Sequence, residues 1–233
     1  MMLAVSCRLQ DMNSMVKMSG LAVVIAALSF VANVSAAELE PLPLQLPKPS
    51  EQGTPSDIEL SEHVEKPTGK PRPAFMAPKG VKNIALNKTV TSSDESPLAG
   101  DFSLVTDGNK EATDEYLELH RKVQWIQIDL EKSVPVTAIV VWHSFATPQV
   151  YRDVVVMGSD DPNFEKDVTV FYNNDYDNST KLGEGKDLEY FETHEGRLID
   201  GKGKKVRYIR LYSNGSTFGR LNRYTEVEVW STE

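Results

Sequence analysis

"VQWIQIDLE" (residues 123–131) and "VPVTAIVVWHS" (residues 134–144) are the two segments that decide the fold. In the first segment apolar and polar residues alternate, so that Ile126, Ile128 and Leu130 share one face. The second segment is almost continuously apolar, which is typical of a strand that is covered on both faces. Both are rich in β-branched and aromatic residues, which favour strands. They therefore predict two consecutive β-strands, the second of them buried.

Other short segments of similar composition lie on either side, and Gly, Asn, Asp and Pro separate them. They are residues 87–93, 151–159, 168–174, 189–196, 204–215 and 225–230. No long segment has a helical period. The pattern predicts one all-β domain, an antiparallel β-sandwich of roughly 150 residues. Its expected core consists of Ile126, Ile128, Leu130, Ile139, Val141, Val154, Val156, Ile209, Leu211, Val227 and Val229.

The N-terminal 36 residues have the pattern of a secretory signal peptide. A positive residue, Lys17, precedes an apolar run at 21–31, and small residues follow at the cleavage position after Ala36. This predicts a secreted or periplasmic protein. A retained membrane anchor is the alternative, and contact with a membrane is expected only in that case.

Residues 37–82 hold nine of the 13 prolines and have no sustained period. Proline fixes φ and removes a backbone donor, so this composition predicts a disordered, semi-rigid linker between the signal peptide and the domain at 83–233.

Composition excludes several classes of function. The 233 residues carry a formal net charge of −9 at pH 7, and removal of the signal peptide makes it about −10. Nucleic-acid binding is therefore not expected, because phosphates require a basic surface. The one cysteine, Cys7, leaves with the signal peptide. No motif of nucleophilic or metal-dependent catalysis is present, and the chain is not expected to be an enzyme.

The loop "LVTDGNKEATDEY" (residues 104–116) concentrates oxygen-bearing side chains around one glycine. Asp107 and Asn109 stand where the first two ligands of an EF-hand loop would be, but Ala112 occupies the position that requires glycine. Two interpretations remain. The loop is either part of a site for a hard cation such as Ca²⁺, which prefers oxygen ligands, or an Asp-Gly turn whose side chains bind their own backbone.

The order of several motifs resembles a known family. "NIALNKTVTSS", "LVTDGN", "WIQIDLEKSVPVTAIVVW", "RYIRLYSNG" and "TEVEVW" follow one another as in the discoidin or coagulation factor 5/8 type C domain. This family has the galactose-binding-like jelly-roll fold, which family 32 carbohydrate-binding modules share. The resemblance covers residues 83 to about 231. It implies a non-catalytic binding module for carbohydrate or glycoconjugate.

The resemblance also implies one structural Ca²⁺ between the Asp-Gly loop and the last strand. Carried over to this sequence, the ligands are the carbonyl oxygens of Leu104 and Thr225 and the side chains of Asp107, Asn109, Thr113 and Glu226. Glu228 is an alternative to Glu226, because both lie on one face of a strand.

In sugar-binding members of the family, loops at one end of the sandwich hold the ligand. The corresponding candidates here are His120, His143 and Arg152 for hydroxyl groups, with Phe145, Tyr151 and Phe218 as stacking surfaces. The chain lacks the cysteine pair of the coagulation-factor members and an obvious pair of exposed apolar residues, which argues against phospholipid binding. A structural or adhesive protein that docks a protein partner is the alternative function.

Overall fold

Ten β-strands and one short 3₁₀ helix form the secondary structure of the computed structural model, which describes residues 38–50, 60–111 and 115–233. The predicted signal peptide lies outside these residues, as does Thr113. The strands are β1 (Leu39–Pro41), β2 (Met76–Pro78), β3 (Lys82–Asn83), β4 (Val90–Ser92), β5 (Leu117–Leu119), β6 (Gln124–His143), β7 (Val155–Ser159), β8 (Thr169–Asn173), β9 (Arg197–Ser213) and β10 (Asn222–Ser231). The 3₁₀ helix spans Phe102–Thr106. Within the described ranges, no helix has the length and hydropathy of a membrane span.

The two long strands, β6 and β9, build both layers of the fold. They pair antiparallel along most of their lengths, from Gln124 opposite Ser213 to Val141 opposite Arg197. The first part of β6 also pairs with β4, whereas its second part pairs with β10. The register shifts between Asp129 and Val134, where the strand passes from one set of neighbours to the other. The two predicted strands are thus one bent strand, and the predicted antiparallel jelly-roll sandwich is confirmed.

The main hydrophobic core lies between the two layers. All eleven residues that the sequence pattern assigned to the core belong to this cluster. Ile126 and Ile128 come from the first part of β6, and Ile139 and Val141 come from the second. Because one strand contributes to both layers, alternate residues of each half point to the same interior.

One predicted strand, residues 189–196, is wrong. This segment makes only isolated bridges, between Val64 and Glu189 and between Val150 and Phe191. Its backbone bonds go to different segments in turn, so no continuous ladder forms. The strand predicted at 204–215 instead begins at Arg197.

The prediction of a disordered linker at 37–82 is also wrong for the described part of that segment. Strands β1 and β2 pair antiparallel, and Leu42 and Ala77 are buried. They belong to a second hydrophobic cluster with Trp142 and Trp230 of the sandwich. Proline is tolerated in short edge strands, and Leu42 and Leu44 supply the apolar side chains that pack in this cluster. The composition indicated a spacer, but the tertiary contacts order it.

Candidate functional site

A contact between the Asp-Gly loop and β10 defines the first candidate site. The 3₁₀ helix begins after Asp101, whose side chain accepts a hydrogen bond from the Ser103 amide, and Asp107 follows its last residue. Gly108 follows with φ of 87°, a left-handed conformation that favours glycine. The Gly108 amide donates to Glu226 Oε2 over 3.1 Å. The fold therefore brings together the two sequence segments that were assigned to one cation site.

Glu226 is a buried carboxyl group with an incomplete set of partners. Its side chain is fully buried, and Oε1 has no hydrogen-bond partner among the residues that the structure describes. Burial, with the nearby carboxylates of Glu228 and Asp107, raises the pKa of Glu226 to about 9, although the Gly108 hydrogen bond and Lys110 act in the opposite direction. A buried anion without a close counter-ion is costly. A cation at Oε1 would supply the missing partner.

Glu228, the alternative ligand, already has a counter-ion. Its Oε1 lies 2.6 Å from Lys110 Nζ, and its Oε2 accepts a hydrogen bond of 3.0 Å from Trp230 Nε1. Both carboxyl oxygens are thus occupied by protein donors. Of the two glutamates, Glu226 is therefore the better candidate for a ligand of an added cation.

The remaining predicted metal ligands lie in or beside the same loop, except that Thr113 is outside the described residues. Asp107 is exposed, and its Oδ1 accepts from the Asn109 amide over 2.7 Å. The Asn109 side chain donates to Glu115 and accepts from the Glu111 amide. These are the local bonds of the turn interpretation, and they hold the loop in shape.

The two predicted carbonyl ligands belong to the elements on either side of this contact. Leu104 lies within the 3₁₀ helix. Thr225 is buried at the register shift between Tyr224 and Glu226 in β10.

An open cleft of about 730 Å³ at the loop end of the sandwich is the second candidate site. Arg152 lines it and is exposed, as predicted for a ligand-binding side chain. Its backbone bonds to Gly215 and Asn214, which fixes the loop that carries it. The cleft is also lined by Asn174 and Tyr176, which the sequence pattern did not single out.

An aromatic pair forms one wall of the cleft. The rings of His63 and Tyr176 stack with centroids 3.7 Å apart and an interplanar angle of 16°. His63 comes from the proline-rich segment, which the backbone of Glu189 holds in place through bonds to His63 and Glu65. Sequence reasoning missed this wall because it treated both parent segments as solvated. An aromatic residue inside the polar run 173–180 was the available signal.

Three of the predicted sugar-binding side chains cannot contact a ligand, and those predictions are wrong. His143, Phe145 and Tyr151 are each at most 1% exposed. His143 is the last residue of β6, and Phe145 and Tyr151 come after it in the chain. All three lie in the interior, where the His143 ring stacks on Tyr151 with centroids 4.2 Å apart. The apolar run at 134–144 already indicated burial at this end of the strand, whereas the family resemblance indicated a surface loop.

Two other candidates are exposed but do not line the cleft. His120 Nδ1 lies 2.8 Å from Asp94 Oδ2. Phe218 is 62% exposed in the turn at 216–219. Asn222 holds the loop at 120–122 by donating to the carbonyl oxygens of His120 and Lys122, both over 2.9 Å.

His143 instead forms a buried polar pair. Its Nδ1 lies 2.6 Å from Glu192 Oε1, and both side chains are fully buried. Replacing Glu192 by Ala leaves the imidazole without its partner, so we expect the free energy of unfolding to fall by about 3–5 kcal/mol. Urea denaturation measures this. The double change His143→Leu and Glu192→Leu is expected to recover most of the loss, and a loss below about 0.5 kcal/mol for Glu192→Ala would contradict the pairing.

A group of three carboxylates lies at the edge of the cleft. Oxygens of Asp153, Asp175 and Asp177 lie within 4.8 Å of one another, close enough to hold one metal ion. Asp175 already accepts from the amides of Ser179 and Thr180. Burial raises the pKa of Asp153, whose Oδ2 accepts hydrogen bonds from Ser179 Oγ and Asn214 Nδ2. This group has protein donors for its oxygens, in contrast to Glu226.

No model of a known protein family matches the chain, and no curated protein matches it. Several solved structures match the chain. A family 89 glycoside hydrolase from Clostridium perfringens is 16% identical with a TM-score of 0.48, and the match covers 64% of this chain and 14% of the hydrolase chain. A fucose binding module of Streptococcus pneumoniae is 22% identical with a TM-score of 0.46, covering 66% and 97% of the two chains.

A chitosan-binding module from a chitosanase/glucanase of Paenibacillus sp. IK-5 is 20% identical with a TM-score of 0.42, covering 64% and 98%. This chain thus spans only a small part of the hydrolase it matches, and nearly the whole of the two binding modules. At these identities the likeness is one of fold, and the ligands named for these proteins are theirs.

Proposed function

We propose that the protein is an exported, non-catalytic module that binds carbohydrate or glycoconjugate in the cleft at the loop end of the sandwich. The observation that carries this is the combination, in one open cleft, of the exposed Arg152 and the aromatic wall of His63 and Tyr176. A guanidinium group bonds adjacent hydroxyls, and an aromatic face covers the apolar side of a sugar ring.

We propose further that a structural Ca²⁺ stabilises this module. Glu226, Asp107 and Asn109 would hold the ion through their side chains, and the family resemblance adds Thr113 and the carbonyl oxygens of Leu104 and Thr225. Carboxylate, amide, hydroxyl and carbonyl oxygens are the donors that calcium prefers, at about six to eight per ion. The orphaned Oε1 of Glu226 supports this assignment. The ion would tie the loop to β10.

A glycan array, followed by titration calorimetry with the saccharide that binds best, tests the carbohydrate proposal. We expect Arg152→Ala and Tyr176→Ala each to weaken binding about tenfold or more, because each removes a donor or a stacking face worth about 1–3 kcal/mol. Lys132→Ala is the matched control, since Lys132 is an exposed cation in the bend of β6 and lies outside the cleft. Absence of binding to any glycan would contradict the proposal and leave the protein-docking alternative.

A further inference from the structure

The arginines of this chain divide into two groups. Eight lie in the described residues, and five of them donate side-chain hydrogen bonds to protein acceptors. The five are Arg72, Arg197, Arg207, Arg210 and Arg223. The other three are Arg121, Arg152 and Arg220, and all three line the loop-end cleft.

The cleft cations have no side-chain partner within the described part of the chain. Arg121, Arg152 and Arg220, together with Lys122 on the same cleft, are exposed. Among the described residues, none of the four takes part in an ion pair or a side-chain hydrogen bond. The four cations outnumber the three carboxylates that also line the cleft, so the lining carries a formal charge of +1 in a chain whose net charge is −9.

The acids of the same cleft bind neutral donors instead of these cations. Asp153 accepts from Ser179 Oγ over 2.6 Å and from Asn214 Nδ2 over 2.8 Å. Asp177 accepts from the Ser179 amide over 2.9 Å, and Glu189 accepts from Ser61 Oγ. Their oxygens are turned to these groups, so the guanidinium donors remain available to a ligand.

A guanidinium presents a planar set of N–H donors that matches a carboxylate or a sulfate in a two-point contact. A neutral hydroxyl uses only one such donor. Three unpaired arginines and a lysine therefore provide far more donor capacity and positive charge than a neutral sugar ring uses. The cleft volume of about 730 Å³ is within the range of small-ligand sites.

We propose that the cleft selects an anionic saccharide, one that carries carboxylate or sulfate groups; this rests on the proposed carbohydrate-binding function. The aromatic wall of His63 and Tyr176 contacts the ring, and Arg121, Arg152 and Arg220 bind its anionic substituents. Carboxylate and sulfate share the chemistry that these side chains recognise, and the experiment separates them.

Titration calorimetry with the folded protein tests this with two matched pairs of probes. One pair is an oligogalacturonate and its methyl ester, and the other is a sulfated galactan oligosaccharide and the same chain after desulfation. We expect at least one charged probe to bind ten times or more tightly than its neutral counterpart. The affinity should fall as salt is raised, because charge contacts are screened.

Variants locate the binding. Arg121→Gln and Arg220→Gln are each expected to lower affinity for the charged probe about tenfold and to leave affinity for the neutral probe nearly unchanged. Lys132→Gln, which removes an exposed cation outside the cleft, is the control and should have no effect. All three side chains are exposed, so equal melting temperatures are expected and verify that the variants are folded.

The possible results are distinct. Equal binding of charged and neutral probes would overturn the anionic preference and leave the proposed function intact. No binding of any saccharide, charged or neutral, would overturn both. Inorganic polyphosphate that binds as tightly as the oligogalacturonate would overturn selection of a saccharide, because the cleft would then act as a general anion site.

Discussion

Removal of calcium at pH 8 is expected to lower the melting temperature of the protein by about 5–10 °C, and Glu226→Gln is expected to abolish most of that difference. An ion that binds only the folded state at about one hundred times its dissociation constant contributes about 2.7 kcal/mol, which corresponds to such a shift in a chain of this size. Scanning calorimetry in calcium and in chelator measures it.

The pH dependence gives a second readout of the same prediction. Without metal, the pKa of Glu226 is about 9 in the folded protein and lies near the ordinary 4.5 when unfolded. The folded state then binds the extra proton between these values, so the stability of the metal-free protein should decline as pH rises from about 4.5 to 9. Calcium requires the ionised carboxylate and should remove this decline.

Two comparisons separate a calcium site at Glu226 from a nonspecific effect of charge or ionic strength. Glu228→Gln removes a neighbouring carboxylate whose partner is Lys110, and calcium should still raise the melting temperature of that variant. Magnesium, which demands a smaller octahedral site, should stabilise the protein less than calcium. An unchanged melting curve after chelation would mean that the loop is only a turn.

A chain that begins at residue 83 is expected to be less stable than one that begins at residue 38 by about 3–6 kcal/mol. The shorter chain loses the buried Leu42 and Ala77 and exposes the faces of Trp142 and Trp230 that they cover. Each large apolar side chain that is buried contributes about 1.5–3 kcal/mol. Urea unfolding of the two chains measures the difference, and exposed tryptophan should also favour aggregation of the shorter one.

The N-terminal segment is held by polar contacts as well. The Arg72 guanidinium donates to the carbonyl oxygens of Gly196 and Glu195 over 2.7 and 3.0 Å. In the longer chain, Leu42→Ala should reproduce part of the loss, while Lys48→Ala, at an exposed position of the same segment, should cost little. Equal stability of the two chains would mean that residues 38–82 contribute no net free energy to the fold.

The layered fold could be predicted because its signals are local. Alternation at 123–131 and the apolar run at 134–144 each report which side of a strand is covered, and every core residue chosen on that basis is in the main cluster. The pairing of Asp107 with Glu226 was reached through the family resemblance, because no local pattern links residues so far apart. In the structure the two segments meet where the Gly108 amide donates a hydrogen bond to Glu226 Oε2.

The wrong predictions concern residues whose environment is set by distant parts of the chain. Leu42 was assigned to a spacer, because nothing in the sequence of residues 37–82 indicates that Trp142 and Trp230 offer an apolar surface for it to pack against. His143 was assigned to the ligand-binding end of the sandwich, and only the packing of Tyr151 and Glu192 around it establishes that it is interior.

The sequence by itself determined the all-β class, the strand alternation and the inward faces, because side-chain direction along a strand has a fixed period of two. It also placed the oxygen-rich loop and the acidic charge. Only the tertiary structure decided which arginines are free, which histidine is buried, and which segments form the cleft wall. Those properties depend on contacts between residues such as His63 and Tyr176 that lie far apart in the chain, and such contacts have no period to be detected.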